Sequence, residues 1–215
     1  MPGDDMPTRS TILVITLAAM TALSISTSAY VLSGPVWPTR STTYVINTTN
    51  LDLPDNSVES AVRAGADTWA LQTGGAFTFT FTGRSTQTTN GFDGTNLVLF
   101  RNASNGSAIA TTYWWSSGSN IVDADIVFWD GGFQFFAGTT GCSNGFYIED
   151  IAAHEFGHAL GLGHSASPAA TMYPTVSSCS MGNRTLDADD IAGVTALYPL
   201  SVPSAPRGVR IIGGL

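Results

Sequence analysis

"HEFGHALGLGHS", residues 154–165, holds all three histidines of a 215-residue chain. Between the first and last lie one glutamate, Glu155, and three glycines, Gly157, Gly161 and Gly163. From Ile148 to Leu160 the sequence reads as a buried helix filled by Ala152, Ala153, Phe156, Ala159 and Leu160, and Gly161 is placed to end it. On that helix His154 and His158 are one turn apart, so their rings leave the same face. Two imidazoles so placed can bind one zinc ion. Glu155, offset around the helix, can reach a zinc-bound water without being a ligand. If the helix continued, His164 would point away from the pair. Gly161 can take a positive φ without a Cβ penalty and turn the chain back. His154, His158 and His164 then supply three neutral nitrogens with one position left for water, an open catalytic site rather than a closed structural one. A His-Glu-x-x-His run also arises by chance. Here it comes with a third histidine, a turn glycine and an apolar helix, and no other histidine exists for a structural role.

Composition narrows what such a site can serve. The length suits one domain, and a 43% hydrophobic fraction with five tryptophans is ample for a core. Basic residues number 8 against 16 acidic ones, for a net charge of −8, and lysine is absent. Lysine Schiff bases and the P-loop lysine are thereby excluded, and nucleic acid is not an expected partner. "TILVITLAAMTALSI", residues 11–25, is apolar and uncharged, and "STSA" follows it. This reads as a signal peptide over residues 1–29 and a secreted, extracellular protein. The flank is irregular, because Asp4 and Asp5 offset Arg9. The other reading is an uncleaved anchor, for which the stretch falls short of the ~20 residues a span needs. Cys142 and Cys179 flank the histidine segment. An even pair in a secreted chain reads as a disulfide, the alternative being two free buried thiols.

Strand candidates are "STTYVINT" (41–48), "AFTFTFTG" (76–83), "TNLVLF" (95–100), "AIATTYWW" (108–115) and "NIVDADIVFWD" (120–130). Val58, Ala61, Val62, Ala66 and Trp69 recur at helical spacing over 55–71, and a last helix covers about 187–198. Residues 131–147 read as a loop. The order describes an α+β domain over 30–200, with one mixed sheet carrying helices on one side. Residues 201–215 differ in composition. They read as an extended linker or as the opening of a truncated fibronectin type III-like module.

"HEFGHALGLGH" resembles the metzincin zinc peptidase signature, and "ATMYP" (170–174) resembles the Met-turn of those enzymes. Ser165 after His164, and Met172 followed by Tyr173 and Pro174, are similar to the matrixins, the matrix metalloproteinase family. "LDADDIAGVTALYP" (186–199), "VWPTRSTTYVIN" (36–47) and "DLPDNSVESAVRAGADTWA" (52–70) extend the likeness over about Val36 to Leu200. The resemblance implies a metzincin fold with a mixed, mostly parallel twisted sheet, an active-site helix and a C-terminal helix. It implies a zinc metalloendopeptidase with a polypeptide substrate, acting as a monomer.

Carried over position by position, His154, His158 and His164 hold one zinc ion, Glu155 is the general base and Met172 forms the hydrophobic floor. Asp189 and Asp190 hydrogen-bond the Met-turn, or act as helix N-terminal charges. Ile109, Ala110 and Thr111 belong to the edge strand on which an extended peptide adds. Ile151, Pro174, Thr175 and Val176 line the pocket for the residue after the scissile bond. Tyr173 stands one residue beyond the methionine rather than two, and is not assigned as a ligand. The thiol latch of vertebrate zymogens has no cysteine here, and no histidine remains for a second, structural zinc. Val176 stands where an aromatic wall is common, so side-chain preference stays open. The departures resemble a compact bacterial-type member. For Asp123, Asp125 and Asp130 a Ca2+ site is one reading, and surface acidic residues on a strand and its turn the other. Two rival functions fit the same residues: a secreted zinc-containing binding or adhesion module, and a zinc hydrolase of a non-peptide bond.

Overall fold

A computed structural model of the chain describes residues 28–200. Of the segment read as a signal peptide (1–29), residues 1–27 lie outside the described residues, as does the tail 201–215. The elements run β1 (Val31–Leu32), β2 (Ser41–Asn47), α1 (Asp55–Gln72), β3 (Thr78–Arg84), β4 (Leu97–Phe100), β5 (Ala110–Ser117) and β6 (Asn120–Phe128). Then come β7 (Phe135–Phe136), β8 (Phe146–Tyr147), α2 (Ile148–Leu160), β9 (Leu162–Gly163), a 3₁₀ turn at Gly182–Arg184 and α3 (Ala188–Leu197).

The main sheet has the order β3-β2-β4-β6-β5. Its pairings are parallel from β3 through β6, and β5 returns antiparallel to β6 through a tight hairpin. The mixed, mostly parallel sheet expected from the sequence is therefore present. β5 has a strand on one side only, so its outer edge is open among the described residues. One face of the sheet packs on the helices. The other carries a smaller cluster of Leu97, Leu99, Val127 and Trp129. β4 is covered on both faces and all four of its residues are buried, which is why "LVLF" is a continuous apolar run.

α2 lies against both α1 and the sheet. Its Phe156 ring sits 5.1 Å from Tyr44 of β2 and 4.7 Å from Phe79 of β3. The two helices meet at small residues. A Cβ on Gly65 would lie 2.6 Å from Ala152 Cβ and 2.7 Å from the Ala153 nitrogen, so only glycine allows this approach. Trp69 Nε1, one turn on, donates to the Ala153 carbonyl at 2.9 Å.

The four strands that sequence periodicity missed are the two-residue ones, which form two pairs: β1 with β9, and β7 with β8. Two residues cannot display an alternation, so β7 and β8 stayed inside what reads as a loop.

Candidate metal centre and its cleft

α2 places the first two histidines, and its end places the third. The last four carbonyls of a helix lack intrahelical partners and need others. Here Gly161 N donates to the Gly157 and His158 carbonyls, Trp37 Nε1 to Ala159 (2.8 Å) and the Tyr198 hydroxyl to Leu160 (2.7 Å). Gly161 has φ +106°, and a Cβ there would meet the Pro35 carbonyl at 2.8 Å. The turn brings the Leu162 carbonyl to His158 Nδ1 at 2.8 Å and returns His164 toward the helix.

The three imidazoles converge. His158 Nε2 lies 3.1 Å from His154 Nε2 and 3.2 Å from His164 Nε2. His154 Nδ1 faces the Thr171 carbonyl at 2.7 Å. A carbonyl can only accept, so Nδ1 of His154 and of His158 carries the proton and each Nε2 presents a lone pair. Facing lone pairs repel unless a cation lies between them. Nitrogens ~2.0–2.1 Å from a tetrahedral zinc stand about 3.3 Å apart, so this donor set fits that ion. Burial pushes the His154 and His158 imidazoles down to about 4, which favours the neutral, ligating form. Among the described residues this is the one group of three His, Cys, Asp or Glu side chains close enough to share a metal ion.

Glu155 is 5% exposed and lines the same cleft. Burial raises its carboxyl above the ordinary value, against the opposing pull of His158 and the Thr112 hydroxyl. Thr112, on β5, lies 2.6 Å from Glu155 Oε2. The sequence did not point to Thr112. Strand alternation puts it on the same face as Ala110, but its partner lies 43 residues away on another element.

Met172 is 1% exposed and packs beneath the helix where Gly157 leaves room. A side chain on Gly157 would collide with the Met172 sulfur and the Trp69 ring. Asp190 accepts from Thr171 N (2.7 Å) and Met172 N (3.1 Å). It also accepts from Asp187 N, completing the box that caps α3. Asp189 does something else. It accepts from Ala29 N (2.6 Å), Tyr30 N (3.0 Å) and the Ser165 hydroxyl (2.6 Å), tying the N-terminal segment rather than the Met-turn.

The cleft has a volume of about 350 Å³. Ile109, Ala110, Thr111, Ile151, Pro174, Thr175 and Val176 all line it, together with Tyr173, which the sequence reading set aside as a ligand, and with Trp114 and Asn183, which the sequence did not single out. Thr111 turns its hydroxyl away, accepting from Trp129 Nε1 at 2.9 Å. The segment bearing Pro174 to Val176 is fastened at Cys179, which is disulfide-bonded to Cys142 and donates its N–H to the Gly145 carbonyl. Beyond it, Arg184 pairs with Glu149 and Asp150 at the start of α2.

Asp123, Asp125 and Asp130 are buried, which overturns the reading of them as surface residues. Asp123 accepts from Asp93 N and Gly94 N, and Asp125 from Gly91 N and Leu97 N, so both fasten the loop before β4. Asp130 accepts from Leu51 N. Asp123 and Asp125 thus hold one loop and Asp130 another segment, and the three form no shared cluster among the described residues. Asp123 Oδ1 and Asp130 Oδ1 are buried without a hydrogen-bond partner. The sequence pattern "DADIVFWD" carries no sign of those distant amides.

Comparison with known proteins places the chain among relatives. The family model described as matrixin matches residues 36–199. Neutrophil collagenase of Homo sapiens is 30% identical over 185 residues, covering 81% of this chain and 36% of that protein. Matrix metalloproteinase-18 of Xenopus laevis is 30% identical over 183 residues, covering 80% and 35%. Matrilysin of Rattus norvegicus is 30% identical over 176 residues, covering 77% of the chain and 60% of the relative. The chain spans about a third of the length of the first two.

Proposed function

The chain belongs to the matrixin family, and from that premise we propose that it is a secreted zinc metalloendopeptidase cleaving peptide bonds of extracellular proteins. One observation carries the reading: three converging imidazole nitrogens stand beside a buried glutamate, in a cleft bounded by an open strand edge. His154, His158 and His164 would hold the zinc ion. Zinc in such a site lowers the pKa of bound water and polarises a carbonyl oxygen. The protein's own groups supply the rest. The free edge of β5 offers backbone N–H and C=O groups to an extended polypeptide, holding it as an added strand. Ile151 and the Pro174–Val176 segment receive the side chain that follows the scissile bond. Glu155 takes a proton from the attacking water and passes it to the departing amine nitrogen. Its burial raises its affinity for that proton, as the second transfer requires. The disulfide between Cys142 and Cys179 suits an oxidising, extracellular setting.

The test is Glu155→Gln, which keeps the shape of the side chain and removes the base. The variant is expected to retain zinc and to lose nearly all casein cleavage. Cleavage at the wild-type rate would contradict the assignment.

A further inference from the structure

Glu155 is a single carboxylate that has to present one oxygen to the reaction in a fixed direction. Among the described residues its carboxylate has one hydrogen-bond partner, the Thr112 hydroxyl, 2.6 Å from Oε2. The other oxygen has no such partner and is not enclosed; Glu155 opens on the cleft. The Thr112 hydroxyl also lies 3.0 Å from the Glu155 carbonyl. A hydroxyl has one proton to give, and a charged acceptor at the shorter distance takes it. The two oxygens of Glu155 are therefore divided, one held by the protein and one left for chemistry.

We infer that Thr112 is a positioning residue: it fixes the Glu155 carboxylate and couples it to the strand that receives the peptide. The inference rests on the general-base reading of Glu155. Thr112 is in the middle of β5, paired in register with Ile126 of β6. Its neighbours Ala110 and Thr111 line the cleft from the same open edge. A peptide added to that edge is thus aligned on the same strand whose side chain orients the base. Glu155 sits on α2, an element with different neighbours, and the Thr112 hydroxyl is the polar link between the two. A base held in this way loses no time or energy to rotamer search when substrate arrives.

Three proteins test this: wild type, Thr112→Val and Thr112→Ser, assayed on one fluorogenic peptide series with zinc content and thermal midpoint recorded. Valine keeps the branched shape and removes the hydroxyl; serine keeps the hydroxyl. Thr112→Val is expected to lose roughly ten-fold or more in kcat, the scale of one charge-assisted hydrogen bond at a reacting group. KM, zinc content and midpoint should stay near wild type, and Thr112→Ser should restore kcat. A Thr112→Val enzyme with wild-type kcat would overturn the inference. So would a loss confined to KM, a loss matched by lost zinc or stability, or a serine variant as poor as valine. A zinc-loaded wild type that cleaves nothing would remove the peptidase reading and this inference with it. An active wild type matched by Thr112→Val removes the inference alone.

Discussion

His154 is oriented by a carbonyl that another residue holds in place. Thr171 accepts from His154 through its oxygen, and its N–H is gripped by Asp190, which is 1% exposed. Asp190→Asn leaves one oxygen where two now accept from three backbone amides, and sets an NH2 against an N–H donor. Residues that orient metal ligands are commonly worth 10–100-fold in metal affinity, and a loss of about that size is expected here. Competition with a fluorescent zinc chelator measures it; unchanged affinity would show that His154 needs no such support. The imidazoles make a second prediction, for metal-free protein. Their folded values near 4 lie below the ordinary 6.5, so the unfolded chain binds protons more readily. Their contribution to stability is complete above about pH 6.5 and is lost as pH falls through 4. Asp125, raised by burial to about 6, runs the other way: its ionisation opposes folding, and the opposition fades as pH falls from 6 toward 4. Proton NMR of the chelated protein should find His154 and His158 neutral at pH 5.5, and titration near 6.5 would contradict this. At this scale the sequence showed what lies within one helix and its turn: His154, Glu155, His158, Gly161 and His164. It did not show Thr112, nor the separate task of Asp189. Those roles depend on partners distant in the chain.

Elements show the same division. α1, α2 and α3 were legible because apolar spacing, Pro54, Gly161 and the acidic start of α3 all mark them. The five strands of the main sheet were legible from β-branched and aromatic runs. Their order was not, since parallel neighbours such as β2 and β4 share no local signal. The fit of α1 on α2 was also invisible: Gly65 reads as a weak point in a helix, yet it is where the second helix comes nearest. Gly65→Ala would improve helix propensity by about 1 kcal/mol in isolation. Against a neighbouring Cβ at 2.6 Å and a backbone nitrogen at 2.7 Å, overpacking prevails. Net destabilisation of about 1–3 kcal/mol is expected in urea unfolding, with a shift of α2 that lowers activity further. A more stable variant would mean that the helices can part without cost.

Over the whole molecule, one covalent ring encloses the site. Cys142 and Cys179 are 37 residues apart, and between them lie α2, all three histidines, Glu155 and Met172. Cross-linking a loop of that length restrains the unfolded chain, with an expected contribution of about 3–4 kcal/mol. Replacing both cysteines by serine should lower the thermal midpoint by roughly 5–15 °C. Zinc affinity should fall much less, because His154 and His158 keep their own carbonyl partners. Scanning calorimetry separates the two effects, and an unchanged midpoint would show that the ring restrains nothing. Metal-dependent cleavage of polypeptides is measured by digesting a broad peptide library with the zinc-loaded chain. Internal cleavage is expected, stopping with a chelator and returning with added zinc. Intact peptides, or cleavage indifferent to the chelator, would contradict it.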